Sequence, residues 1–390
     1  METNSPWKSY GIHITLFVVS LLTTTLAGGE WMFGQYIVLD DYTWSDFTAG
    51  FAFSLPFLSF LTCHEFGHYF TARYNKVSTT LPYYLPFWMG FMLVPSIGSF
   101  GAVIRIKQQI TSRKLYFDIG IAGPIAGFIA GLVILFYGFN TLPPADYIYE
   151  IHPEYQQYGV EYEKFAYGPD REEPGAALVL GSSLLFDFFK ENVAPDPSRV
   201  PNAFEIAHYP WLLAGFLALF FTALNLLPVG QLDGGHIVYG LLGPKWHSIL
   251  SPAFLIILVF YAGLGMITPD HLNGLMQFKP EMWWQAPLYF WFLTITFSKV
   301  FPTPQLRILW ALAIFAGQIL LTFFINGVEG YSAWLFYGFL LGRIMGVHHP
   351  EPPLDEPLDS KRKLLGWIAL LIFILCFSPA PLELVVLGEP

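Results

Sequence analysis

The chain has 390 residues, of which 54% are hydrophobic, 18% aromatic and only 12% charged, and it carries a formal net charge of -10. That balance lies outside the range of ordinary soluble domains and points to a membrane protein, with no nucleic-acid partner expected. Its two cysteines, Cys63 and Cys376, sit in separate apolar segments, give neither a disulfide framework nor a CxxC pattern, and read as buried spectators.

Nearly uncharged runs of about 17 to 25 residues recur along the chain. Hydropathy places them near 10–28, 48–73, 115–139, 209–228, 246–267, 284–298, 306–326, 331–346 and 364–380, with 284–298 and 331–346 short for a full crossing. The fold class expected is therefore an all-α polytopic membrane protein, a helical bundle of about 8–9 spans. The residues before the first run carry little positive charge and no small-residue cleavage site follows it, so it reads as a retained span rather than a signal peptide.

Between 77 and 108 the pattern changes. Pro82, Pro86 and Pro95 break any helix, and Gly98-Ser99-Phe100-Gly101-Ala102-Val103-Ile104-Arg105 alternates small and apolar residues. This predicts a re-entrant or interfacial β-type segment near 80–104, tolerable at membrane depth only where protein or a watered cavity satisfies its backbone. Threading the spans with the N-terminus inside puts Arg73, Lys76, Arg105, Arg113, Lys245, Arg307 and Lys361 among the cytoplasmic basic residues. Lys164, Arg171, Lys190, Arg199 and Lys279 fall outside. The long loop 141–208 lands on the non-cytoplasmic face with Asp146, Glu150, Glu154, Glu161, Glu163, Glu172 and Glu173. It reads either as a gating or partner-binding segment or as a solvated acidic connector. The organisation predicted is a first span and loop (1–47), two core halves (48–140 and 209–243) separated by the acidic loop, and C-terminal spans (244–390).

The chemistry concentrates in His64-Glu65-Phe66-Gly67-His68, an H-E-x-x-H string at the end of the second long run. On a helix, positions i and i+4 share a face, so both imidazoles reach one zinc while Glu65 holds and deprotonates a water. Chance alone would place this string in roughly 1% of chains of this composition. Three ionisable groups within one turn of an apolar helix are also costly in a bilayer and mark a functional site. Catalytic zinc takes three protein ligands, and the strongest candidate for the third is Asp233 in Leu232-Asp233-Gly234-Gly235-His236, which follows an apolar run ending Asn225-Leu226-Leu227-Pro228. Asn225 is a candidate hydrogen-bond donor to the substrate backbone or an oxyanion, with interhelical bonding as its bland alternative. His236 is a candidate for orienting Asp233, against a capping or loop role.

Other residues read as structural. His13, His208, His247 and His271 stand near span ends, where histidines are ordinary, and His348-His349 on a proline-bounded loop reads as solvated. Asp118 is read as a helix cap, and Gly120, Gly123, Gly127 and Gly131 as a surface for close helix packing.

The pair His64-Glu65-x-x-His68 and Asn225-Leu226-Leu227-Pro228-Val229-Gly230-Gln231-Leu232-Asp233-Gly234 resembles the site-2 protease family of intramembrane metalloproteases. Gly98-Ser99-Phe100-Gly101-Ala102 and Asp118-Ile119-Gly120-Ile121-Ala122-Gly123-Pro124-Ile125-Ala126-Gly127 add to the likeness, which covers about 50–377 and is strongest for the bacterial and plastid branch without a PDZ domain. The resemblance implies zinc on His64, His68 and Asp233 and cleavage of a substrate's transmembrane helix from a site open toward the cytoplasm. Membrane-tethered transcription regulators or anti-sigma factors would be the partners, and a bacterial plasma membrane the location. Rival readings are an intramembrane metal-ion transporter, which needs no Glu65, and a catalytically inactive membrane scaffold.

Overall fold

The computed structural model describes residues 6–39, 41–168, 171, 175–268, 284–325 and 327–387. His271, Lys279, Glu172 and Glu173 lie outside the described residues. The fold is mostly helical: α1 (Pro6–Phe33), α2 (Trp44–Ala49), α3 (Phe51–Tyr74), α4 (Arg113–Asn140), α5 (Ile148–Ile151), α6 (Tyr162–Ala166), α7 (Leu184–Asn192), α8 (Pro210–Leu226), α9 (Asp233–Leu242), α10 (Pro244–Ala262), α11 (Gln285–Thr296), α12 (Pro304–Phe324), α13 (Ala333–Phe339) and α14 (Ser360–Cys376). Each hydropathy run meets one of these helices. Five among the described residues are long and apolar enough to cross a membrane, with α2 and α3 counted as one; α8 and the stretch Ala333–Met345 are apolar but shorter. Among the described residues there are two two-stranded sheets: one lies in the β-type segment expected near 80–104, and the other departs from the expectation.

The chain divides into two compact units. The first comprises Met1–Gln109, Ala122–Leu224 and Leu371–Pro390, the second Ile110–Ile121 and Asn225–Leu370.

In the first unit, small residues set the approach of α1 to the α2–α3 corner. A Cβ at Gly50 would lie 1.9 Å from the Thr25 carbonyl oxygen, and one at Gly28 would lie 2.7 Å from the Gly50 oxygen, so the backbones touch. Thr25 Oγ1 donates to Ser54 Oγ at 3.0 Å across this contact. The Thr43–Asp46 capping box starts α2.

The predicted β-type segment is present as an antiparallel hairpin of β1 (Tyr83–Pro86) and β2 (Ser99–Val103), pairing Tyr83 with Val103 and Tyr84 with Ala102. It is tied down at both ends. Tyr84 donates to Thr62 Oγ1 at 2.6 Å, because the Thr62 hydroxyl is spent on the Leu58 carbonyl. Gly98, at φ +79°, lies so close to α1 that a Cβ would sit 2.4 Å from the Thr23 oxygen.

The 141–208 segment is folded rather than a bare connector. It carries α5, α6, α7 and β3 (Gly175–Leu180), and β3 pairs antiparallel with β4 (Leu382–Leu387) in unbroken register from Gly175–Leu387 to Leu180–Leu382. His208 lies within this segment beside the fully buried Glu205, 3.5 Å from its carboxylate, instead of standing as an ordinary interfacial histidine. His13 is buried, with Nδ1 3.0 Å from the Pro82 carbonyl. Cys376 is buried as expected, but Cys63 is exposed: it faces away from the packed side of α3 that carries His64, Glu65 and His68.

In the second unit, the turn 226–232 stacks directly beneath α9. Gly230 adopts φ +56°, and its N–H donates to Ser251 Oγ, which donates in turn to the Val347 carbonyl. Arg113, buried at the start of α4, donates from Nε to the Gly240 carbonyl and meets Asp355 at 3.3 Å. Asp118 does not cap a helix. It lies inside α4 and accepts both Nε and Nη2 of Arg362, at 2.7 and 2.8 Å, a bidentate pair that a residue on a distant helix supplies.

Candidate metal centre

The local rule of the helix assembles the first part of the centre. α3 is apolar along most of its length, and its buried face includes Phe53, Phe57, Phe60, Leu61, His64, Glu65 and His68, recurring at intervals of three and four. The two imidazoles thus lie one turn apart on the packed side, their rings edge to face, with Nε2 of His64 3.1 Å from Nε2 of His68. Two Zn–N bonds of ordinary length at a tetrahedral angle hold their nitrogens about 3.4 Å apart. The spacing fits a shared zinc, and the donor type fits as well, since neutral imidazole is a preferred zinc ligand. Glu65 is buried in the same turn, only 6% exposed.

The room for this pair comes from α4. A Cβ at Gly123 would lie 2.0 Å from His68 Nε2, and one at Gly127 would lie 3.1 Å from His64 Nδ1 and 3.0 Å from the Phe60 ring. From the other side, a Cβ on Gly67 would meet the Ala122 carbonyl at 2.5 Å. The packing role expected of the glycine series is therefore present, and the partners are specific: Gly123 and Gly127 face the two histidines, while Gly131 faces Ala218.

Asp233, Asn225 and His236 belong to the second unit. Asp233 occupies the first turn of α9, where the helix N-terminus favours a carboxylate. Its position depends on the glycines that follow. A Cβ at Gly234 would lie 2.0 Å from the Leu226 oxygen, and one at Gly235 would lie 2.3 Å from the Gly230 oxygen. The Asp-Gly-Gly string is thus the price of starting a helix directly on top of the preceding turn. Asn225 lies at the last turn of α8.

His236, one turn beyond Asp233, packs its Cβ where Gly120 leaves space and stacks on Tyr116. Its Nδ1 is 2.7 Å from Nε2 of His349, whose own Nδ1 is 2.7 Å from the Pro350 carbonyl. The carbonyl can only accept, so His349 Nδ1 carries the proton and His236 Nδ1–H donates to His349. His349 also stacks on Tyr239 at 3.9 Å. The expectation that His348-His349 is a solvated pair holds for His348 alone, which is exposed. His349 is drawn in by a hydrogen-bond partner 113 residues away, which no local pattern announces. Burial, helped by the nearby His236, holds its imidazole down at about 3.

Comparison with known proteins bears on the whole core. The profile described as peptidase family M50 matches residues 52–268. The chain is 30% identical over 223 residues to the probable zinc metalloprotease EGY2, chloroplastic, of Oryza sativa subsp. indica, covering 53% of this chain and 35% of that one. It is 28% identical over 225 residues to the Arabidopsis thaliana protein of the same name, covering 54% and 34%. It is 26% identical over 348 residues to the probable zinc metalloprotease EGY3, chloroplastic, of Oryza sativa subsp. indica, covering 85% and 50%. The matched stretch thus spans about a third to a half of the length of these relatives. No solved structure matches. Their printed names are chloroplastic, so the expectation of a bacterial plasma membrane finds no support in them.

Proposed function

The chain belongs to peptidase family M50, the site-2 proteases, and from that premise we propose that it is an intramembrane zinc endopeptidase that hydrolyses a peptide bond in the transmembrane segment of a membrane-anchored protein. The observation that carries the reading is the buried α3 turn in which the Nε2 atoms of His64 and His68 converge to 3.1 Å with Glu65 beside them. Asp233, at the head of α9, supplies the third ligand, since two imidazoles leave a catalytic zinc one protein donor short. His236, held by its bond to His349, orients that ligand.

Zinc, when bound, supplies Lewis acidity toward the scissile carbonyl and toward water. The remaining steps belong to the chain. Glu65 takes a proton from the attacking water as its oxygen adds to the carbonyl carbon, and returns that proton to the leaving nitrogen as the C–N bond breaks. Asn225 donates to the substrate backbone or to the developing oxyanion. A helical substrate must unwind before its amide is accessible, and the β1–β2 hairpin offers it strand pairing. Exposed Phe100 and Val103 on β2 give that edge an apolar flank. Membrane-tethered transcription regulators or anti-sigma factors are the substrates proposed on the family likeness.

The test compares wild type with Glu65→Gln in liposomes, reading zinc content and cleavage of a panel of transmembrane substrates. Cleavage lost with zinc retained is the expected result. Undiminished cleavage in the variant, or metal flux without proteolysis, overturns it, the latter in favour of a transporter.

A further inference from the structure

The 141–208 segment brings together a second group of metal-ligating side chains, wholly within the first unit. His152 follows α5, while Glu205 and His208 lie just before α8; one ligand atom from each falls within 4.8 Å of the other two. The hydrogen bonds around them determine which atoms those are. His208 Nδ1 lies 2.6 Å from the Met32 carbonyl, which can only accept, so Nδ1 carries the proton and Nε2 a lone pair. His152 Nδ1 lies 2.9 Å from the exposed Glu154 carboxylate, with the same consequence. With both rings neutral, the two Nε2 atoms face each other at 3.4 Å as two acceptors, unable to bond to one another.

Glu205 adds a third lone-pair donor. Its Oε1 accepts from Tyr167 at 2.7 Å, whereas its buried Oε2, 3.5 Å from His208 Nε2, accepts no hydrogen bond among the described residues. The carboxylate is 0% exposed, and a buried carboxylate facing two imidazole lone pairs is unfavourable unless a positive charge joins them. A metal ion supplies such a charge, and the 3.4 Å spacing is that of two nitrogens on one tetrahedral zinc. Both imidazoles also have their outer nitrogen fixed by a carbonyl or a carboxylate, the usual arrangement behind metal-bound histidine.

We propose that His152, Glu205 and His208 form a second site for a zinc-class divalent ion, separate from the α3 centre, that clamps the two ends of the 141–208 segment together. Two nitrogens in the set disfavour calcium and magnesium, which prefer all-oxygen shells. His208 bridges from the metal to the last turn of α1 through Met32, so the ion also anchors the segment to that helix. His152 and His208 both line an adjoining cavity of about 350 Å³, shared with Tyr155, Tyr167 and Arg171. A fourth coordination position is left to water or to a ligand from that side. The site does not depend on the proteolytic reading.

The test uses the full chain in detergent, stripped with chelator, reloaded with zinc alone, and read by metal stoichiometry in four proteins. Wild type is expected to hold two equivalents, His64→Ala/His68→Ala one, His152→Ala/His208→Ala one, and the fourfold variant none. Zero zinc in His64→Ala/His68→Ala, or no loss in His152→Ala/His208→Ala, overturns the site. A single wild-type equivalent lost only with His152 and His208 would instead overturn the α3 centre and leave this one standing. Should the loop variant fail to fold, X-ray absorption of the zinc in His64→Ala/His68→Ala decides: a shell with two imidazoles supports the site, and one without imidazole overturns it.

Discussion

Gly123 on α4 and His68 on α3 occupy one another's space: a Cβ at position 123 would lie 2.0 Å from the ring nitrogen of His68 that faces His64. The absence of a side chain on one helix is therefore a condition for the ring position on the other. Gly123→Ala is expected to displace the ring, reducing zinc content and lowering cleavage at least tenfold. Gly131→Ala, whose new methyl would meet the Ala218 Cβ at 3.2 Å and Leu219 at an ordinary 3.9 Å, should leave both nearly unchanged. Equal effects from the two substitutions would show that α4 packing in general, rather than the histidine contact, is at stake.

Gly234→Ala is a backbone test. The added carbon would lie 2.0 Å from the Leu226 carbonyl oxygen, and backbone cannot swing aside as a long side chain does. A loss of at least about 2 kcal/mol in stability is expected, visible as a lowered melting temperature and poor recovery from detergent. An alanine variant as stable as wild type would mean that α9 can shift off the 226–230 turn.

Asp118 and Arg362 make a two-point contact, yet their side chains are 20% and 37% exposed. Screening limits such a pair to about 1 kcal/mol. Asp118→Asn is expected to lower the melting temperature by a few degrees, and the swap Asp118→Arg/Arg362→Asp to recover part of it. A swap no better than the sum of its single substitutions would argue against direct coupling.

His349 makes stability depend on pH. Its pKa is held at about 3 in the folded chain by burial and by the facing His236 and His247, with the Tyr116 and Tyr239 rings completing its surroundings. The unfolded histidine takes up its proton near pH 6.5, while the folded one stays neutral until about 3. Its contribution is therefore full above about 6.5 and is lost progressively as pH falls below that. Melting temperatures between pH 7 and 5 should fall less steeply for His349→Gln than for wild type, and parallel curves would remove His349 as the source.

Much of the molecule is legible in its sequence. Hydropathy is a property of contiguous residues, so each apolar run meets a helix, and the proline and glycine pattern at 80–104 announces a β-type segment, though not the pairing of β1 with β2. The number of runs that cross a membrane was harder to read, because α8, α11 and α13 are apolar but short, and composition does not distinguish a short span from a buried helix. The His64–His68 relation is equally local: four residues of helix carry it. Cys63 shows the limit even at one turn's distance, since knowing that a residue is apolar does not say which face of α3 packs inward.

What only the tertiary structure decided are pairings between segments far apart in the chain. Nothing near Gly123 names His68, nothing near His349 names His236, and nothing in β3 names β4. His152 and His208, 56 residues apart, look ordinary until the fold turns their Nε2 atoms toward each other. Sequence determined the helices and the ligands that a single helix turn can align, because backbone geometry alone sets that spacing. Which faces then meet depends on close packing summed over many side chains, and no short stretch of the chain contains that sum.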